Sequence, residues 1–205
     1  MSVHEVGHAA IGEEHRTSTG LDNVKMAMWA FLGSECLFFG SLISTYLLYR
    51  NRDVGEGPRP SEVYDIPYTS VSSFVLLMSS VTMVLALAAI QRGDHRGLRT
   101  WLLATASLGM IFIGGQIYEF TTFVEEGLNL STSVFGSSFF VMTGFHGAHV
   151  TAGIFMLLAL FGMSLFGRLD PVDGPRRVEL VGLYWHFVDI VWIVIFTVVY
   201  LVPTN

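Results

Sequence analysis

Charged and polar residues occur in short runs, separated by five apolar stretches at about 24–49, 69–90, 98–120, 134–166 and 178–202. As a helix, each stretch is long enough to cross a hydrocarbon core of about 30 Å. The connections carry helix-stopping and charged residues. The first holds Arg50, Arg52 and Arg59 with Pro58, Pro60 and Pro67; the second is a tight basic turn from Arg92 to Arg99; the third is acidic, with Glu125 and Glu126. The pattern predicts an all-α integral membrane protein: a polar tail at 1–23, one five-helix bundle at 24–202 and a short tail at 203–205.

Composition agrees with that class. Of 205 residues, 52% are hydrophobic and 14% are charged, whereas a soluble domain of this size would mix charges into every helix to cover its surface. Arg16, Lys25, Arg92, Arg96, Arg99, Arg168, Arg176 and Arg177 fall on one side of the five crossings, and Arg50, Arg52 and Arg59 on the other. The positive-inside rule then puts the N-terminus in the cytoplasm and the C-terminus outside. The basic residues form no single patch, which excludes a nucleic-acid footprint. A single cysteine, Cys36, excludes an intramolecular disulfide, a four-cysteine zinc site, a CxxCH haem attachment and a two-cysteine copper centre. Residues 1–23 lack the apolar core of a signal peptide.

Ionisable residues inside the apolar stretches carry the candidate chemistry, since such a group at membrane depth is a functional hypothesis in itself. Residues 135–153 hold His146 and His149 at i and i+3 among glycines and other small residues. The fifth helix places His186 and Asp189 at the same spacing. Glu35 stands near the middle of the first helix among Gly33, Ser34, Gly40 and Ser41, small residues that suit close helix approach. It is expected to point into protein, either as an acid bonded to a neighbouring helix or as a proton-exchanging group. Glu119, at the outer end of the third helix, is expected to be solvated and so to be the secondary acid. With alternating helix directions, Glu35, His146 and Asp189 lie within about one turn of the midplane, which predicts a shared polar network.

Other chemistries compete for these residues. His146 or His149 opposite His186 offers axial ligands for a b-type haem, and three histidines at one level suggest a metal site. Against both, the acids at the same depth are cheaper partners for the imidazoles. The tail contains His4-Glu5-Val6-Gly7-His8, the HExxH pattern of zinc proteases. It begins at residue 4, has no preceding element to pack on and carries Gly7 in an already short helix.

Three segments together carry a specific resemblance: Gly33-Ser34-Glu35-Cys36-Leu37-Phe38-Phe39, then Phe135-Gly136-Ser137-Ser138-Phe139-Phe140-Val141-Met142-Thr143-Gly144-Phe145-His146-Gly147-Ala148-His149-Val150, then Tyr184-Trp185-His186-Phe187-Val188-Asp189-Ile190-Val191-Trp192. In this order they closely resemble subunit III of haem–copper oxidases, the aa3-type cytochrome c oxidases and the related quinol oxidases. The resemblance implies an accessory subunit with no haem, copper or other cofactor of its own, and with no catalytic residue. Its implied partners are the catalytic subunit I, subunit II, other respiratory-chain subunits and structural phospholipid in a prokaryotic cell membrane. It further implies support of proton uptake by a complex that reduces oxygen to water and pumps protons. On this resemblance Glu35 matches the family's membrane-buried glutamate, and His146, His149, His186 and Asp189 its polar positions, none of them a metal ligand. Seven-helix members have two more N-terminal helices, which form a V-shaped lipid cleft; here a polar tail precedes the first helix.

Overall fold

The computed structural model describes residues 22–50, 66–127 and 134–202. Among them it contains five helices long and apolar enough to cross a membrane. These are α1 (Asn23–Tyr49), α2 (Ile66–Gln91), α3 (His95–Glu125), α4 (Val134–Leu165) and α5 (Gly174–Phe196), the last continuing into a π-helical turn at Thr197–Leu201. There is no strand among the described residues. The HExxH motif, with His4 and His8, lies outside them.

The helix limits follow local chemistry where hydropathy alone is blunt. α3 starts at His95, three residues before the apolar run, because the Asp94 side chain accepts from Gly97 N at 2.9 Å and draws the basic turn into the helix. α2 ends where Gly93 takes a φ of 74°, which lets Asp94 N reach back to Ala89 O at 2.9 Å. α4 ends in the same way at Gly167, φ 64°, with Arg168 N donating to Met163 O at 2.9 Å. Pro175 sits in the first turn of α5, where its missing N–H has no helical partner to lose.

The chain forms two compact units, Met1–Phe38 and Phe39–Asn205. In the first, the described part is α1 up to Phe38, with Ser34 Oγ folded onto Phe31 O at 2.7 Å. In the second, α2 packs on α3, α3 on α4, α4 on α5 and α5 back on α2, a closed ring of four helices. The C-terminal half of α1 joins this unit against α4 and α5. Phe39 meets the His149 ring edge-on at 5.0 Å and Phe187 at 6.4 Å, and Tyr46 packs on Phe135 at 5.2 Å. Arg50 then donates from Nη1 to Val198 O at 2.9 Å, and from Nη2 to Val202 O, at the end of α5.

Two indoles fill the centre of the ring. Trp185 is fully buried; a Cβ added at Gly109 of α3 or at Gly153 of α4 would come within 2.7 Å of its ring. Small residues at these two positions therefore set how closely α3 and α4 approach α5. Trp192 lies two turns on and meets Phe112 edge-on at 4.8 Å.

Candidate functional site

The polar interior of the second unit is built from α5 against α2. Trp185, Asp189 and Trp192 recur at i, i+4 and i+7, so one face of α5 carries an acid between two indoles. The facing residues of α2 are hydroxyls. Trp185 Nε1 donates to Ser79 Oγ at 2.9 Å, and Trp192 Nε1 donates to Ser73 Oγ at 2.9 Å. Between them Ser80 Oγ donates to Asp189 Oδ2 and lies 2.9 Å from His186 Nδ1. A serine hydroxyl has one proton. With that proton given to the carboxylate, Ser80 accepts from His186 Nδ1–H, and the histidine, serine and aspartate form a short hydrogen-bonded relay. Asp189 is 3% exposed while Ser80 and His186 are half-buried, so the relay runs from the interior of this unit toward its surface.

His146 and His149 separate. His146 is completely buried and stacks on Trp192, centroids 4.8 Å apart and planes inclined by 24°, with Phe112 edge-on at 5.9 Å. Neither of its ring nitrogens reaches a hydrogen-bond partner among the described residues. His149 turns to the α1 side: its Nδ1 lies 2.7 Å from Phe145 O, and its carbonyl accepts from Tyr184 OH at 3.1 Å. Glu35 stands on α1 within the first unit. Thus His186 and Asp189 are brought together, while His146 and His149 enter different surroundings.

Glu119 is not solvated, as its place near a helix end suggested. α3 runs on to Glu125, so Glu119 lies more than a turn inside it, and the residue is 7% exposed. Its Oε1 accepts from Thr69 Oγ1 at 2.6 Å and from Tyr200 OH at 3.0 Å. One acid therefore joins α3, the start of α2 and the π-helical turn. Toward the centre, Gln116 Nε2 donates to Thr143 O of α4 at 3.1 Å.

The partners missed from the sequence are mainly hydroxyls: Thr69, Ser73, Ser79, Ser80 and Tyr200. α2 reads as uncharged scaffold, yet Thr69, Ser73 and Ser80 fall at i, i+4 and i+11, one helical face, and that spacing was the available signal. Replacing Ser80 by alanine is expected to destabilise the second unit by about 1–3 kcal/mol, because it strips a partner from both His186 and Asp189. Thermal unfolding of the purified protein in lipid nanodiscs measures this, with Ser80→Thr expected to lie between wild type and alanine.

No group of three or more His, Cys, Asp or Glu side chains is arranged to hold a metal ion among the described residues. Glu119, His186 and one oxygen of Asp189 meet hydroxyls, His149 a backbone carbonyl, and His146 aromatic rings. Sequence comparison covers almost the whole chain. The family model described as cytochrome c oxidase subunit III matches residues 4–203. The chain belongs to the cytochrome c oxidase subunit III family. Among its relatives, the quinol oxidase subunit 3 of Bacillus subtilis is 39% identical over 98% of this chain and 97% of its own length. The cytochrome bo(3) ubiquinol oxidase subunit 3 of Pseudomonas aeruginosa is 38% identical over 97% of this chain and 92% of its own. The cytochrome c oxidase subunit 3 of Bacillus sp. strain PS3 is 38% identical over 94% of this chain and 91% of its own. The matched span takes in the polar groups of α2 through α5 together.

Proposed function

We propose that the chain is the accessory subunit III, without a redox centre of its own, of a proton-pumping haem–copper oxidase that reduces oxygen to water. Its partners on this reading are the catalytic subunit I, subunit II and further respiratory-chain subunits in a prokaryotic plasma membrane. The N-terminus faces the cytoplasm and the C-terminus the outside, as the distribution of lysine and arginine argues. The chain stabilises the catalytic subunit, binds structural phospholipid and supports proton uptake. Glu35, His146, His149, His186 and Asp189 serve as polar and proton-related groups of the membrane domain, of which His146 and Asp189 are buried and the other three half-buried, with Glu119 added by its burial. The observation that carries the reading is the full-length family match joined to an interior whose acids and histidines are engaged by serine, threonine, tyrosine and aromatic partners.

Absorption spectroscopy and metal analysis of the isolated chain test the accessory role. No haem Soret band and no stoichiometric copper are expected, whereas one haem per chain would restore the membrane-cytochrome reading. For the electron donor, the family description supports cytochrome c, and the relatives named quinol oxidase support quinol as the second reading. Oxygen consumption by the purified complex, driven in turn by reduced cytochrome c and by a quinol, decides between them.

A further inference from the structure

We propose that the groove between α4 and α5, at the end of the bundle where α4 finishes and α5 begins, seats one anionic phospholipid, an acyl chain along the groove and the phosphate on Arg177. The inference rests on the reading that this subunit binds structural phospholipid, and gives that lipid a place and a charge. The groove has a volume of about 290 Å³. Met156, Ala159 and Met163 of α4 line one wall, and Leu180 and Val181 of α5 the other. Every side chain lining it is apolar except Arg177. The depth of the groove suits one leaflet. α4 ends at Leu165 and α5 begins at Gly174, so Met163 and Arg177 both lie within a turn of that end of the bundle. From Met163 to Met156 the wall then runs inward by seven residues, about 10 Å, against about 15 Å for half of a hydrocarbon core.

The charge at the mouth of the groove is available, and its neighbours are not. Arg99 donates from Nε to Ser164 Oγ at 3.1 Å and from Nη2 to Ser164 O at 2.7 Å, which ties it to the last turn of α4. Arg176 pairs with Asp173 at 3.5 Å. Arg177 is exposed, and its guanidinium enters no hydrogen bond or ion pair among the described residues. A guanidinium presents a fork of N–H donors that matches the oxygens of a phosphate, and its long stem can follow apolar surface to bring the charge to the headgroup level. Basic pockets between helices on the cytoplasmic side are a recurrent setting for anionic headgroups, and the distribution of lysine and arginine puts this end of the bundle on that side. A transmembrane helix, about 10–12 Å across, is too wide to enter the slot. A free phosphate would use the guanidinium and leave the apolar walls empty. A phospholipid uses both.

The test is native mass spectrometry of the full chain, titrated with phosphatidylglycerol and, separately, with phosphatidylcholine of the same acyl chains. The expected result is one phosphatidylglycerol per chain, bound about tenfold or more tighter than phosphatidylcholine, the scale of one charge-assisted hydrogen bond. Arg177→Ala, an exposed change, should abolish that preference. Ala159→Phe, which fills the groove and leaves the charge in place, should weaken both lipids. Inorganic phosphate should not displace the bound lipid. Phosphatidylglycerol that stays bound in both variants, or that phosphate displaces, overturns this site while leaving lipid binding by the subunit intact. A wild-type chain that retains neither lipid overturns the lipid reading itself. A cryo-electron microscopy map of the intact oxidase complex decides independently of the variants: acyl-chain density is expected between Met156 and Met163, and a partner subunit's side chains filling the groove would overturn the proposal.

Discussion

Trp185→Ala is expected to cost the membrane domain about 3–5 kcal/mol of stability, the range for removing a fully buried large aromatic. The residue is 0% exposed, fills the space that Gly109 and Gly153 leave open, and gives its N–H to Ser79. In lipid, helices are held by packing rather than by water exclusion, so a void at the centre of the ring removes contacts from α2, α3 and α4 together. Unfolding in mixed micelles of increasing denaturing detergent measures the loss. The same geometry predicts a coupling. Gly153→Ala puts a methyl 2.7 Å from the indole and is expected to destabilise by about 1–3 kcal/mol in the wild-type background. In the Trp185→Ala background that penalty should largely vanish, because the clash has gone and the methyl fills part of the void. Two penalties that simply add would show that the indole does not sit against Gly153.

Glu119→Ala carries the second large expected effect, about 2–5 kcal/mol. It removes the acceptor that the Thr69 and Tyr200 hydroxyls share in a buried site, at about 1–3 kcal/mol for each hydrogen bond lost. Glu119→Gln retains an oxygen acceptor and should recover most of the loss. A double-mutant cycle with Tyr200→Phe, followed by thermal unfolding, isolates the pairwise term. If the cycle shows no coupling, the acid is not what ties the π-helical turn to α3.

What the sequence made legible divides along physical lines. The five spans could be read because lipid demands about twenty apolar residues with every backbone group satisfied within the helix, a requirement that leaves little freedom. Family membership was legible for a different reason: three motif segments recur in order, although HxxH alone is weak. Helix ends were less legible. The apolar run of α3 fades near Phe120 while the helix continues to Glu125, and that difference alone turned a buried acid into an expected surface one. The pairing of polar groups was the hardest part. His146 and His149 are neighbours at i and i+3, but the remaining 60° of rotation about the helix axis puts one inside the ring and the other beside Phe39. Serines attract little notice because they carry no charge, yet Ser73, Ser79 and Ser80 complete the polar face of α5. Their spacing on α2 held that information; which neighbour they would face was decided by the closure of the ring.

The accessory role also separates what the chain should affect from what it should not. On the proposed reading, an interior that holds helices together and supports proton uptake predicts changes in complex lifetime and proton supply, with the haem and copper chemistry intact. The most direct measurement is to purify the oxidase through a tag on this chain, then strip the chain away with detergent and compare the two preparations. The account predicts that the tagged chain brings down a haem-containing catalytic subunit. After stripping, all haem and copper should stay with the remainder, which still reduces oxygen but inactivates after fewer turnovers. Haem or copper leaving with this chain, or a tagged chain that brings down no haem protein, would contradict it.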